Sequence, residues 1–428
     1  MKIACAPTIS GSLQAGDATR FRLYGLAHNP GIGTVGNGIV QALARQGMAP
    51  AQRAWDLLSI ALSIVAADES SRRDQSADGW TRQIELEVAV AEPDFWNTQT
   101  DALDSTLSFL TGDIWHVRLT GGGLEAPKPA KRKPQPHDAI CLLSGGMDSL
   151  VGALDLATEG RKLMLVSQVS KGDKDTQLTF ATRIPGAPGH LQLNHNVQLP
   201  PQMAQLHERS QRARSVIFLA YGVLAASAMD RYRTGAAVDL FVPENGFISL
   251  NIPLTPIRIG SLSTRTTHPA YMAAVQRLLD AAGLHVRLAN PYQFKTKGEM
   301  LVECREQTIL QANAFAATSC GRYARNGYMH CGRCIPCLVR RSAIRRWGLE
   351  DQTRYRYGRL AINDSDHRNY DDVRAAAIAL QQISLLGLDR WAGTALNSAQ
   401  LGDTAPYRAV VQRGLEELRS FLAAEGVL

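Results

Sequence analysis

The 428-residue sequence has no apolar run long enough to cross a bilayer. The longest, Val216 to Met229, holds fourteen residues, against about 20 for a spanning helix, and reads as a buried helix instead. The first ten residues, MKIACAPTIS, contain one Lys and no apolar segment, so a cytoplasmic protein without a secretory signal is expected. Disulfides are not expected either: seven cysteines in such a chain read as reduced thiols or metal ligands. No internal repeat is evident. Acidic residues are the scarcer charge, 39 against 46 Lys and Arg, for a net charge of +7. That balance suits an anionic partner, whether nucleotide, nucleic acid or acidic protein, without choosing among them. A hydrophobic share of 45% is ample for packed cores and excludes a disordered chain.

The length predicts two or three domains. Residues 1–120 read as an N-terminal α+β accessory domain. Its helices fall at Pro50–Ala67 and Asp101–Leu110, and its strands at Arg82–Val90 and Ile114–Leu119. Trp80, Trp96 and Trp115 read as packing residues. Residues 121–137 (GGGLEAPKPAKRKPQPH) are too rich in Gly, Pro and Lys to form a core and read as a linker. From Asp138 to Gly348 strands and helices alternate. Strands are expected at Ala139–Leu143, Leu163–Val169, Leu191–Leu199, Val238–Val242 and Val286–Leu288, with a helix at Ser215–Met229. This is the α/β pattern of a parallel sheet covered by helices. Residues 349–428 read as a helical C-terminal extension, with helices at Tyr370–Leu385 and Pro406–Ala424.

Two motifs carry chemistry. In AICLLSGGMDSLVGALDL, Ala139 to Leu156, an apolar strand runs through a Ser/Gly turn into a helix. Such a turn offers free N–H groups and a positive helix end to a phosphate. Gly145 and Gly146 permit close approach, while Ser144 and Ser149 add hydroxyls. Asp148 beside phosphates requires a Mg²⁺ ion or a substrate amine between the negative charges. The turn has neither G-x-x-x-x-G-K-[ST] nor G-x-G-x-x-G, so Walker-type and dinucleotide loops are excluded. The second motif is C-x10-C-x2-C-x2-C at Cys320, Cys331, Cys334 and Cys337. Four thiolates at this spacing suit a closed structural Zn²⁺ site, and an iron–sulfur cluster or redox chemistry is also permitted. Between Gly321 and Leu349 there is no acidic residue and seven arginines. A solvated face, a triphosphate or acidic-substrate site and an RNA surface all fit that run.

SGGMDS resembles the PP-loop, S-G-G-x-D-S, of the ATP-pyrophosphatase superfamily. Together with the cysteine cluster, NPYQFKTKGEML (Asn290–Leu301) and Thr318–Cys320, the stretch from Asp138 to Gly348 resembles the 7-cyano-7-deazaguanine synthase (QueC) family. The resemblance implies a PP-loop, adenine nucleotide alpha hydrolase-like sheet. It implies ATP-dependent adenylation of the carboxylate of carboxy-deazaguanine, release of pyrophosphate and AMP, and a C–N bond-forming ligase. ATP, Mg²⁺ and Zn²⁺ would be the cofactors. The longer layout, with WTRQIELEVAV from Trp80 and LSFLTGDIW (Leu107–Trp115), is similar to the QueC-like proteins of bacterial anti-phage operons, the Qat and CBASS systems. For these, transfer of a deazaguanine to the N-terminus of a partner protein is implied. In such a site Ser144, Gly145, Gly146 and Ser149 would hold phosphates, and Asp148 Mg²⁺ or pyrophosphate. The second strand's end, Ser167 to Ser170, would lie at adenine or ribose. Arg212 and Arg214 would reach the triphosphate, and Lys295 and Lys297 would neutralise charge on it. Arg265, Thr266 and His268, in the loop Ser263–Pro269, would contact the substrate. Glu244 and Asn245 would read a purine edge. Three alternatives stay open: a tRNA-modifying PP-loop enzyme of the thiolase type, a plain synthase using ammonia, and a nucleotide-binding subunit without activity.

Overall fold

The computed structural model describes residues 1–9, 18–27, 29–170, 172–208, 210–255, 265–360, 372–396 and 401–428. Two five-stranded sheets organise them. The first has the order β3-β2-β1-β4-β5: β1 Lys2–Ala6, β2 Thr19–Leu23, β3 Gly33–Val35, β4 Gln83–Ala89 and β5 Ile114–Thr120. The second has the order β10-β9-β6-β7-β8: β6 Ala139–Leu142, β7 Leu163–Gln168, β8 Gly189–Leu193, β9 Val238–Phe241 and β10 Val286–Ala289. Every pairing in both sheets is parallel.

β6, β7 and β9 are buried along their whole length, as expected of central strands with helices on both faces. The first sheet is likewise parallel throughout: β4 and β5 are joined through the Pro93–Asn97 and Thr100–Thr111 helices, while no described helix lies between β1 and β2 or between β2 and β3. The alternation of β4 and β5, exposed then buried, arises because one face of this parallel sheet is open to solvent.

The apolar run near Val216 forms the Arg214–Ser227 helix, buried from Leu219 onward. It packs against the Gln52–Ser70 helix. One hydrophobic cluster joins Phe21, Trp55, Ile84, Trp96 and Trp115 of the first half to Ile140, Val166, Tyr221 and Leu240 of the second. Gly222 is needed where this helix crosses β9, since a Cβ there would lie 2.6 Å from Leu240. The C-terminal helices Asp372–Leu386 and Ala405–Ala424 form a third core with the Ile335–Trp347 helix. Tyr370, where the first of them was expected to start, lies outside the described residues. No described helix is long and apolar enough to cross a membrane.

A buried ionic network ties the two halves together. Arg82 pairs with Asp68 at 2.5 Å and Asp113 at 2.6 Å, and Arg73 pairs with Asp113 at 2.7 Å. The backbone N–H of Ala213 donates to Asp68 at 2.9 Å. Arg212, expected at a triphosphate, lies here instead. It donates to the Thr111 carbonyl at 3.0 Å, and its guanidinium sits 4.4 Å above the Trp80 ring. Burial, and then the nearby Arg73, pull its pKa down to about 10. Removing Asp113 leaves two buried cations short of a partner. Asp113→Ala is expected to cost about 3–5 kcal/mol in denaturant unfolding, whereas Asp74→Ala, at an exposed pair, stays within about 0.5 kcal/mol.

Candidate active site

β6 ends at Leu142, and the chain turns through 143–146 into the Met147–Thr158 helix. Gly145 has φ 87°, which only glycine adopts without strain, and its carbonyl accepts from Thr318 N–H at 3.0 Å. Ser149 Oγ accepts from the Ser144 N–H at 3.2 Å and donates to the Gly146 carbonyl at 2.9 Å, so it shapes the turn. No side chain caps the helix that follows. Its first N–H groups are therefore open to an anion.

Asp148, in the first turn of this helix, is buried. Lys297 Nζ pairs with Oδ1, and both side chains are less than a tenth exposed, at 9% and 7%. Asn245 donates to Oδ2 twice, from its backbone N–H at 3.1 Å and from Nδ2 at 2.7 Å. Nδ2 also reaches Glu244 Oε1 at 3.1 Å. Burial alone would raise the Asp148 pKa, but Lys297 and the hydrogen bonds outweigh it and hold the carboxyl at about 2. Glu244 is pushed the other way, well above its ordinary value, by burial and by the Asp148 charge. The two neighbouring carboxyls thus resolve into one ionised and one protonated group.

Lys297 is delivered by its own sequence. Thr296 and Glu299 form a capping box, each side chain bonding the other's backbone N–H, which starts the Lys297–Glu303 helix. Lys295, two residues earlier, turns away and pairs with Glu303 at 2.5 Å on the surface.

A cavity of about 350 Å³ opens at the carboxyl ends of β6, β7 and β9, where open α/β sheets bind ligands. Of the residues expected there, Ser144, Ser149, Arg214, Glu244 and Thr266 line it. Others serve elsewhere. The Ser167 hydroxyl is fully buried, donating to the Leu143 carbonyl at 2.7 Å and lying 2.9 Å from His190 Nε2. Arg265 donates to the Phe109 carbonyl at 2.9 Å and covers that ring. His268 caps the Pro269–Ala281 helix, its Nδ1 accepting from Ala270 N–H at 3.2 Å. Asn245 holds Asp148 and does not line the cavity. Ser263 and Thr264 of that loop lie outside the described residues. Gln168, within the expected stretch Ser167 to Ser170, lines the cavity, and so do Gln211 and Phe218, which were not anticipated. For Gln168 the signal was present, a polar residue closing a buried strand.

The four cysteines converge as their spacing predicts, with ligand atoms within 4.8 Å of one another. Sγ separations of 3.9 Å (Cys320 to Cys334) and 3.8 Å (Cys331 to Cys337) match the roughly 3.8 Å that a tetrahedral ion with metal–sulfur bonds of about 2.3 Å imposes. N–H groups of Arg322, Cys331 and Cys334 point at these sulfurs at 3.3 Å. Gly332 has φ 85°, and a Cβ there would lie 2.5 Å from the Tyr357 carbonyl. The site can therefore hold a tetrahedral cation. His330 is not among the four, as its Nε2 accepts from Ser319 N–H at 3.2 Å.

The arginine run is largely consumed internally. Arg340 is fully buried and donates to the Ala314 and Ala317 carbonyls. Arg322, Arg341 and Arg346 pair with Asp372, Glu425 and Glu417.

No protein-family profile matches the chain. Curated proteins do. The chain is 28% identical over 244 residues to the 7-cyano-7-deazaguanine synthase of Rhizobium etli, covering 50% of this chain and 91% of that one. It is 25% identical over 239 residues to 7-cyano-7-deazaguanine synthase 1 of Sphingopyxis alaskensis, covering 50% and 97%. A shorter match, 37% over 92 residues, covers 20% of this chain and 36% of the Paracoccus denitrificans synthase. Over half its length the chain is a distant relative of these synthases. The other half lies outside the long alignments.

The carboxyl pair sets a pH test. Glu244 favours the fold most below its ordinary value of 4.5, and that contribution is lost as pH rises toward its raised folded value. Glu244→Gln keeps the hydrogen-bonding shape without a titration. Its melting temperature is expected to gain on the wild type steadily between pH 5 and pH 8. A pH-independent gap contradicts the assignment.

Proposed function

We propose that the chain is an ATP-dependent enzyme that adenylates the carboxylate of a 7-deazaguanine and passes the acyl group to an amine. The observation that carries this reading is the buried Asp148–Lys297 pair, with Asp148 in the first turn of an uncapped helix and its neighbours Ser149 and Glu244 on the cavity wall, in a chain related to deazaguanine synthases. A carboxylate oxygen attacks the α-phosphorus of ATP, and the bond to the β-phosphate breaks as pyrophosphate leaves. The amine nitrogen then attacks the acyl carbon, AMP departs with the former carboxylate oxygen, and the amine proton goes to solvent.

Ser144, Gly145, Gly146 and the first-turn N–H groups bind the phosphates, with Arg214 on the cavity wall. Lys297 offsets negative charge on the phosphates. Asp148, ionised throughout the neutral range, would be the residue to hold a Mg²⁺ ion, which would supply positive charge to the pyrophosphate group. The cysteine site carries zinc as a structural ion, since it offers no open position.

The accepting amine is the N-terminus of a partner protein, in a bacterial anti-phage setting. Residues 1–120 and 349–428, accessory parts around the central unit, support this by adding surface that deazaguanine synthesis does not require. Ammonia as acceptor is the competing outcome. A tRNA-modifying role is disfavoured because, of the arginines that would suit RNA, Arg322, Arg341 and Arg346 are ion-paired within the chain and Arg340 is buried.

The test is to incubate the purified protein, analysed for metal, with ATP, Mg²⁺, carboxy-deazaguanine, and either ammonia or candidate partner proteins. The expected result is bound zinc, AMP release that Asp148→Ala lowers by at least about 10³-fold, and a mass increase on a partner's N-terminus. Absence of AMP contradicts the adenylation. Nitrile or amide formed from ammonia alone overturns the protein acceptor, and bound iron overturns the zinc assignment.

A further inference from the structure

The Lys297–Glu303 helix has seven residues, too few to hold itself in water. Its start is fixed by the capping box, and both members of that box are gripped from outside. Thr296 Oγ accepts from the Glu299 N–H at 3.1 Å and donates its proton to Glu417 Oε1. Glu299 Oε2 accepts from the Thr296 N–H at 2.8 Å, while Arg413 Nε donates to its Oε1 at 2.6 Å. Glu417 thus sets which way the Thr296 hydroxyl points, and Arg413 holds the Glu299 carboxylate.

Arg413 and Glu417 stand one turn apart on the Ala405–Ala424 helix, so one face presents both. Val410, Val411 and Leu418 on the same helix are buried and seat it in the third core. Gly298 shows how closely that helix approaches. A Cβ there would lie 2.5 Å from Arg346 Cδ and 2.7 Å from Glu417 Oε2. The Glu417 side chain is 6% exposed, and Arg346 Nη1 pairs with it at 3.0 Å. A buried carboxylate is costly even when partnered, and a capping box already closes on itself without one. Both gripping residues lie in the C-terminal extension, beyond the stretch Asp138–Gly348 that resembles the synthases.

What the grip places is Lys297, the first residue of the helix. A four-carbon stem gives its Nζ a wide reach, so the place of its backbone decides whether Nζ stays at Asp148. We propose that Arg413 and Glu417 are positioning residues for ATP cleavage, acting through the capping box to hold Lys297 at the triphosphate. This deepens the reading given under Proposed function and rests on it.

The test measures AMP release by the full chain with ATP, Mg²⁺ and carboxy-deazaguanine. Glu417→Leu and Arg413→Leu are each expected to lower kcat by about 10- to 100-fold, with KM for ATP within about threefold of the wild type. Glu417→Gln, which keeps an acceptor for Thr296, should stay within about threefold in kcat. In a Lys297→Met background, Glu417→Leu should add no more than about a twofold loss, because it acts through the missing group. Leu418→Ala, in the same helix and fully buried, should lower the melting temperature while kcat of the folded protein stays within about twofold. If Glu417→Leu does not fold, Thr296→Val removes the other end of the same hydrogen bond and carries the same expectation. Unchanged kcat in Glu417→Leu or Arg413→Leu, no rescue by Glu417→Gln, an equal further loss without Lys297, or a matching kcat loss in Leu418→Ala overturns the proposal alone. No AMP from the wild-type chain overturns the functional reading with it.

Discussion

Asp148 sits in the first turn of a helix with its side chain 7% exposed. A lone carboxylate there would keep its proton rather than bear the cost of burial. Lys297 supplies the opposite charge and Asn245 two donors, and the remaining neighbour, Glu244, accommodates by staying neutral. Each of these partners needs its own support. Asn245 caps the short Gly246–Ser249 helix by accepting from Ile248 N–H at 3.0 Å. Lys297 is placed by the Thr296–Glu299 box.

Both supports rest on the last helix of the chain. Arg413 donates to Glu299 at 2.6 Å and to the Phe294 carbonyl at 2.8 Å, while Glu417 bonds Thr296. Gly414 lets Phe247 pack so closely that a Cβ would lie 2.3 Å from its ring. The C-terminal extension therefore braces the two elements that hold Asp148. The N-terminal half reaches the cavity from the opposite side, through the shared core along the Arg214–Ser227 helix and through Phe109, which receives Arg265 and His268.

Much of this was legible in the sequence. SGGMDS and the cysteine spacing each specify a local geometry, so short-range pattern was enough. In the second sheet β6 and the start of β7 announced themselves as apolar runs, whereas β8, expected at Leu191–Leu199, spans Gly189–Leu193. β1, β2 and β3 were not anticipated, since KIACA and TRFRL mix basic residues into their apolar pattern and GTV has three residues. What failed was the choice between near neighbours. Ser167 and Gln168 point to opposite sides of one strand, and only the sheet's orientation says which side is the cavity. Lys295 and Lys297 are equally charged, yet the capping box puts only Lys297 at the first helical position, and that signal was readable. The arginine run misled because its partners, Asp372, Glu417 and Glu425, are distant in sequence.

The central claim is that a substrate carboxylate attacks the α-phosphorus of ATP at the loop after β6. Carboxy-deazaguanine labelled with oxygen-18 in its carboxylate tests this most directly, with the AMP product weighed after turnover. The account predicts one labelled oxygen in AMP. AMP free of label, with all the oxygen-18 left in the acid or released to water, would contradict it.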